Sequence, residues 1–305
     1  MSPAGRGAWE VLDAGTLTTV QDRGRGGWAH LGVARAGALD APAAGLANRL
    51  VGNPTDAALL EVTLGGLRLR AGAGRWVAVT GAPCPVEVDG RPGGPGRAVW
   101  VPAGATLRLG VPATGVRSYV AVAGGIAVAP VLGSRSTDTL AWVGPPRVEA
   151  GTVLPLGTPP RGPGAGPRPI DVPRVPRPGP LRVTRGPRAD WFADGVLAAL
   201  CATAYVVAAD SDRIGLRLDG SPLARVREGE LASEGMVLGA VQVPPSGTPV
   251  VFLADHPPTG GYPVVAVVEA DDLWQCAQLR PGEEVRFTPA RSGPPCPPAP
   301  PGARH

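Results

Sequence analysis

The chain has 305 residues, 44% of them apolar, which is material for about two domains of ~100–200 residues each. All 29 basic residues are arginine, and the lack of lysine excludes a Walker phosphate loop, a Schiff base and covalent biotin, each of which needs the amine. The net charge of +4 arises in one stretch, Arg161 to Arg188, where seven arginines face the single acid Asp171; the remainder is slightly acidic, and aromatics at 4% leave little stacking surface for nucleic acid.

Gly 45 and Pro 38 punctuate short Val, Leu and Ala runs, the pattern of an all-β protein with many tight turns. Met1 to Glu10 contains no apolar leader segment, and no run of about 18 apolar residues follows it, so a membrane is not expected and the chain reads as cytoplasmic. Trp9–Leu12 and Thr16–Val20 are predicted as a strand pair around Asp13-Ala14-Gly15. A polar, glycine-rich loop leaves that pair at Gln21. Asp40 then suits the N-cap of a helix with Pro42 in its first turn and Leu46 and Leu50 on one face, stopping at Gly52-Asn53-Pro54.

Strands are expected at Leu59–Leu64, Leu67–Arg70, Trp76–Thr80 and Val86–Val88, with Asp89-Gly90 as a hairpin turn, and then at Val99–Val101, Leu107–Leu109 and Tyr119–Val122. The segment 158–180 is too rich in proline and arginine to pack and reads as an extended linker between an N-terminal domain, 1–157, and a C-terminal domain, 181–288. Beyond it, strands are expected at Leu181–Thr184, Ile214–Leu218, Val237–Val243, Val250–Leu253 and Val285–Thr288. Asp190 and Asp271 read as caps of two helices, ending near Cys201 and Leu279, and residues 289–305 read as a disordered tail.

Between Gln21 and Gly66 charged, amide and glycine residues crowd together, so the site is expected there, on a loop held by strands. Asp22 and His30 are candidates for acid or base work. Glu61, mid-strand among Leu59, Leu60 and Val62, must be paired or face a cleft. Arg23, and Arg25 beside it, offer forked donors for carboxylate or phosphate, and Gln21, Asp40 and Asn48 complete the polar set. Asn48 and Arg49 stand about 100° apart on the helix, so one of them faces the site. In the second half Arg213, Glu234, Gln242, Thr259 and Tyr262 form a similar series, with His256 on a proline-stiffened loop. Four cysteines without a CxxC pair and three histidines predict free thiols and no metal site. No GxSxG elbow or triad order is present.

The blocks TTVQDRGR, HLGV, GALD, ANRLVGNP and LEVTLGG, followed by VAGGI, GSRSTD, SDRIGLRL, SEGMVLGAVQVPPSG and TGGYP, resemble the family that holds the C subunit of bacterial 5-oxoprolinase. The same family takes in part of the carboxyltransferase region of urea carboxylases and antagonists of a histidine-kinase inhibitor. The resemblance spans residues 8 to 288 and implies a mainly β fold of two cyclophilin-like β-barrel domains with a few short helices; the residue pattern by itself leaves barrel or sandwich open. It further implies ATP use, with magnesium, in hydrolysis of 5-oxoproline to glutamate, alongside partners that resemble the B and A subunits of that enzyme. Two alternatives go with it: a carboxyltransferase component moving a carboxyl group from carrier-borne biotin to urea or a related amide, and a non-enzymatic regulator that binds a kinase inhibitor.

Overall fold

Short apolar runs broken by glycine become strands wherever their alternation lets one face be buried. The structure, a computed structural model, describes residues 7–94, 96–160, 167, 178–227, 229 and 231–290. Most of the segment read as a linker, the tail from residue 291 and Cys296 lie outside the described residues; Cys84, Cys201 and Cys276 are free thiols.

Among the described residues the first half contains two sheets around one core. Six strands run in the order Val153–Leu154, Trp9–Ala14, Leu67–Ala71, Thr106–Leu109, Val86–Val88 and Arg91–Gly93, and five in the order Leu17–Gln21, Leu59–Thr63, Arg117–Val122, Arg75–Gly81 and Ala98–Val101. Trp9, Val11, Leu69 and Leu107 from one sheet meet Leu60, Val62, Val79 and Val120 from the other. The six-stranded sheet is wet on its outer face, hence the strict alternation of Leu67–Ala71. The five-stranded sheet is covered there by the helix Ala41–Leu50, whose Leu46, Ala47 and Leu50 pack on Leu59, Ala78, Tyr119 and Ala121. Its central strand Arg117–Val122 is therefore buried throughout.

The second half is a closed barrel in the order Leu181–Arg185, Val264–Val268, Ala240–Gln242, Val250–Phe252, Gly215–Asp219, Ala204–Val207 and Glu284–Pro289, sealed by parallel pairing of Leu181 with Phe287. Closure removes every free edge.

Several local expectations are corrected. Asp190 does not cap a helix: it lies in a 3-10 turn, Ala189–Trp191, and pairs with Arg227, while the helix starts later at Val196 behind Gly195. Asp271 likewise falls in a 3-10 turn, and the last helix is the single turn Leu273–Cys276. The run Val237–Val243 is interrupted at Gly239, φ 83°, so its strand is only Ala240–Gln242. The strands Ala204–Val207 and Val264–Val268 were not foreseen.

The two halves meet in a buried polar seam. Arg213 forks onto Asp255 through Nε and Nη2 at 2.9 and 3.0 Å, donates through Nη1 to Glu61, and reaches the Gly37 carbonyl at 2.8 Å. Glu61 also accepts from Tyr119 Oη and the Leu39 amide, each at 3.0 Å. Arg117, 3.5 Å from Glu61, donates to the Ala277 carbonyl at 2.8 Å, and Gln278 bridges Asp40 and the Arg117 carbonyl. Leu39, from the first half, packs into the core of the barrel.

Candidate functional site

Strand Leu17–Gln21 ends where its chain must turn, and Asp22 makes the turn. Its Oδ1 accepts from the Gly24 amide at 2.8 Å and from the hydroxyls of Ser134 and Ser136, each at 2.6 Å, and its Oδ2 accepts from the Arg135 amide at 2.6 Å. Burial raises the Asp22 pKa, but these bonds outweigh it and hold the carboxyl below its ordinary value. The loop after Asp22 is thus tied to the GSRSTD segment, and its far end is tied to the barrel, where the Ala36 amide meets the Ala254 carbonyl. Gly24 and Gly37, at φ 82° and 102°, let the two loop limbs cross at backbone contact distance.

Arg25 turns inward under this crossing and is 2% exposed. Its Nη2 donates to the Ser136 carbonyl, and burial pulls its pKa down against the attraction of Asp138, Asp22 and Asp255. Asp138 accepts from the Leu140 amide at 2.9 Å and is pushed up by burial. From the barrel, Asp255 accepts from the amide and hydroxyl of Thr139 at 2.9 and 2.7 Å while it holds Arg213. Residues from the two halves therefore build one cluster.

His256 follows Asp255, lies flat on Phe252 with ring centroids 5.5 Å apart, and donates through Nδ1 to the Pro257 carbonyl at 2.8 Å. That bond fixes the tautomer with the lone pair on Nε2. Burial lowers its pKa, so the ring stays neutral and basic at pH 7.

The structure distributes the sequence-predicted residues over three settings. Arg23 and His30 stand on the exposed rim, Arg23 3.6 Å from Asp56 and His30 stacked on Trp28. Gln21, Asn48, Glu61, Arg213 and Asp40 are interior: Gln21 donates to the Thr137 carbonyl, and Asn48 to the Ala57 carbonyl, each through its amide. Asp40 caps the helix at the Ala43 amide as expected, and burial raises its pKa. Of the helix pair Asn48 and Arg49, the asparagine faces inward and the arginine is exposed. Asp22 makes the loop turn described above, and Glu234, Gln242, Thr259 and Tyr262 lie together on the barrel. Glu234 pairs with Arg188, strand Glu234–Gly235 pairs with Thr259–Gly260, Gln242 donates to the Tyr262 carbonyl, and Arg225 lies over the Tyr262 ring.

The family model described as the carboxyltransferase domain, subdomain A and B, matches residues 31–289. The chain belongs to the carboxyltransferase-domain family. Within it, this chain is 37% identical over 281 residues to the 5-oxoprolinase C subunit of Escherichia coli K12, covering 91% of this chain and 90% of that one. It is 32% identical over 308 residues to the urea amidolyase of Lachancea kluyveri, covering 92% of this chain and 17% of the larger enzyme. Among solved structures, the crystal structure of TTHA0988 superposes with TM-score 0.83 at 42% identity, over 92% of this chain and 56% of that one. This carboxyltransferase-domain chain thus spans little more than half of TTHA0988. The Kluyveromyces lactis urea amidolyase superposes with TM-score 0.86 at 29% identity, over 93% of this chain and 19% of that one.

Sequence reasoning missed Asp138, Asp255 and Arg117 as members of the cluster. For the first two a signal was present, since Asp138 ends the GSRSTD block and Asp255 precedes the histidine of ADHPP. Arg117 lies in a strand whose burial only the fold reveals.

Proposed function

We propose that this chain is the C subunit of an ATP-dependent 5-oxoprolinase in the cytoplasm, acting with partners like the B and A subunits of such enzymes to convert 5-oxoproline to glutamate. The observation that carries the reading is the match to the 5-oxoprolinase C subunit over nine-tenths of both chains. The urea enzymes match at lower identity and over a small share of their length, which puts carboxyl transfer from carrier-borne biotin second. No helix of the described residues is long and apolar enough to cross a membrane.

A lactam carbonyl is a poor electrophile, so its opening needs donors at oxygen and a base for water or nitrogen. The chain offers His256 Nε2 as a neutral base and arginines as donors to carboxylate. The glycine-rich loop after Gln21 enters a single 3-10 turn, Ala29–Leu31, rather than the N-terminus of a helix, which favours a nucleotide site completed by a partner. In this reading the phosphates and magnesium of ATP would lie on a surface shared with a partner, to which Arg23 would contribute a charge.

Reconstitution tests the reading. The purified chain alone is expected to give no glutamate from 5-oxoproline and ATP, and addition of both partner proteins to restore it. Carboxylation of urea with a biotin carrier, and no action on 5-oxoproline, would replace it with the second reading. In the active complex Arg23→Ala should weaken use of ATP or 5-oxoproline by about tenfold and barely move the thermal midpoint, because its pair with Asp56 is solvent-exposed. Arg23→Lys should restore part of the loss.

A further inference from the structure

Two loops of the first half, 22–36 and 127–145, turn large apolar side chains to water. Leu31 and Trp142 are 60% and 56% exposed, and Leu140 and Val131 follow at 41% and 38%. The loops are bound to each other: Trp28 Nε1 donates to the Leu132 carbonyl at 3.2 Å, Arg25 Nη2 donates to the Ser136 carbonyl, and Asp22 Oδ1 accepts from Ser134 and Ser136. Trp28, stacked on His30, adds aromatic surface beside Leu31. Single exposed apolar residues are ordinary, but a gathering of them on one face marks an interaction surface.

The fold imposes this exposure. Leu132 and Trp142 sit at φ 52° and 56°, left-handed conformations that cost bulky residues energy and persist only where the surroundings dictate them. Trp28 holds the chain at Leu132, and before Trp142 the carboxylates of Asp255 and Asp138 hold the amides of Thr139 and Leu140, each at 2.9 Å. A face fixed before binding loses less entropy when it is covered. Its rim carries one sign of charge: Arg23 and Arg35 are exposed and Arg135 half-exposed. The acids of the two loops are turned inward, Asp138 buried and Asp22 bonded through both oxygens, and Asp56 answers Arg23 alone.

We propose that this face, with Leu31, Leu140 and Trp142 as its anchors, is where the partner that resembles the B subunit docks, through an apolar patch rimmed by carboxylates. Nearly half of the TTHA0988 chain lies outside its match to this one, so a unit of this kind occurs joined to a further unit of similar size, and that neighbour needs a face to pack on. The arginine rim selects acidic groups opposite it. A second copy of this chain is disfavoured by the same rim, because a two-fold contact sets the patch against itself and brings Arg23, Arg35 and Arg135 onto their counterparts. Tryptophan and arginine are also the residues that most often dominate interface energies. The identity of the partner rests on the proposed function. Arg23, to which that reading gives a charge for ATP, stands on this rim, so docking here would complete the shared surface.

The test is titration calorimetry of the full chain with the purified B-like protein, without substrate. Trp142→Gly and Leu31→Glu should each weaken the complex by at least about tenfold. Trp142→Gly should not lower the thermal midpoint, since glycine accepts φ 56° freely, and Leu31→Glu is a second variant at an exposed position. Val111→Glu, exposed at 67% beyond the strand Thr106–Leu109 of the other sheet, should bind as the wild type does. Arg35→Glu should slow association, and added salt should slow it in the wild type. The inference is overturned if the wild type does not bind the B-like protein, if Trp142→Gly and Leu31→Glu both bind it unchanged, if Val111→Glu loses as much as they do, or if the two variants instead split a dimer of this chain. Failure here and failure of the proposed function are separable. A complex that opens 5-oxoproline at full rate at limiting concentration with Trp142→Gly and Leu31→Glu combined removes this surface and keeps the function, whereas a complex that forms through this face and ignores 5-oxoproline does the reverse.

Discussion

A carboxylate in the middle of an apolar strand declares that it has a partner, but not which one. Glu61 shows both sides of this: its neighbours Leu60 and Val62 fix the strand and its faces, while its partner Arg213 lies 152 residues away and belongs to the other half. The exposed residues are the converse case, since Arg23 and His30 were legible as loop residues and stay at the rim. Arg25 could not be told from Arg23 by sequence, because only the crossing of loop limbs at Gly24 and Gly37 turns one inward. His256 allows a prediction from its titration. Burial lowers its folded pKa below the ordinary 6.5, so in the window between the two values the unfolded chain binds a proton that the folded chain refuses. Stability should therefore fall as pH drops through that window and level off below the folded value. Thermal midpoints of the wild type and His256→Gln, compared at pH 7.5, 6.0 and 5.0, isolate this effect from that of buried Asp40 and Asp138; parallel curves would show that the ring is not the group responsible.

At the scale of elements, strands bounded by glycine were readable because alternation and hairpin turns are local. The helix Ala41–Leu50 was readable because Asp40, Pro42 and the apolar stripe agree. The errors came where one local signal was contradicted by a neighbour: Asp190 reads as a cap, yet Trp191 and Phe192 are drawn into the barrel core and end the turn there. The loop pair that frames the site has a simple test. Asp22→Ala strips the acceptor from two hydroxyls and two amides, and should cost about 2 to 4 kcal/mol of stability. Because the folded pKa of Asp22 is depressed, the contribution of its ionised form is present above the ordinary carboxylate value and lost as pH falls through the folded one. Denaturant unfolding of Asp22→Ala and Asp22→Asn at neutral pH measures it. A loss under about 0.5 kcal/mol, the range of ordinary surface changes, would mean that the two loops hold each other without the carboxylate.

For the whole molecule, composition and turn density made the mainly β architecture legible, and the resemblance supplied the barrel; the seam was invisible because its members come from strands and loops far apart in the chain. We propose that 1–157 and 181–288 are two domains joined by 158–180, yet behave as one cooperative unit. The reason is the seam, in which Glu61, Arg117, Arg213 and Asp255 are all nearly fully buried and Leu39 enters the core of the barrel. Burial of such a network gives little net stability, since desolvation offsets the attraction, but removing one member leaves the others charged in a dry place at a cost of about 3 to 5 kcal/mol. Protease nicking within 158–180 is therefore expected to leave the wild-type halves associated through gel filtration and to preserve a single calorimetric transition. In Arg213→Ala, Glu61 and Asp255 regain water only if the halves part, so the same nick should release two fragments and split the transition in two. Arg213→Lys should behave almost as badly, because one ammonium cannot span Glu61, both oxygens of Asp255 and the Gly37 carbonyl. Wild-type fragments that separate on nicking, or an Arg213→Ala pair that stays together with one transition, would show that apolar contact, and not this network, joins the halves.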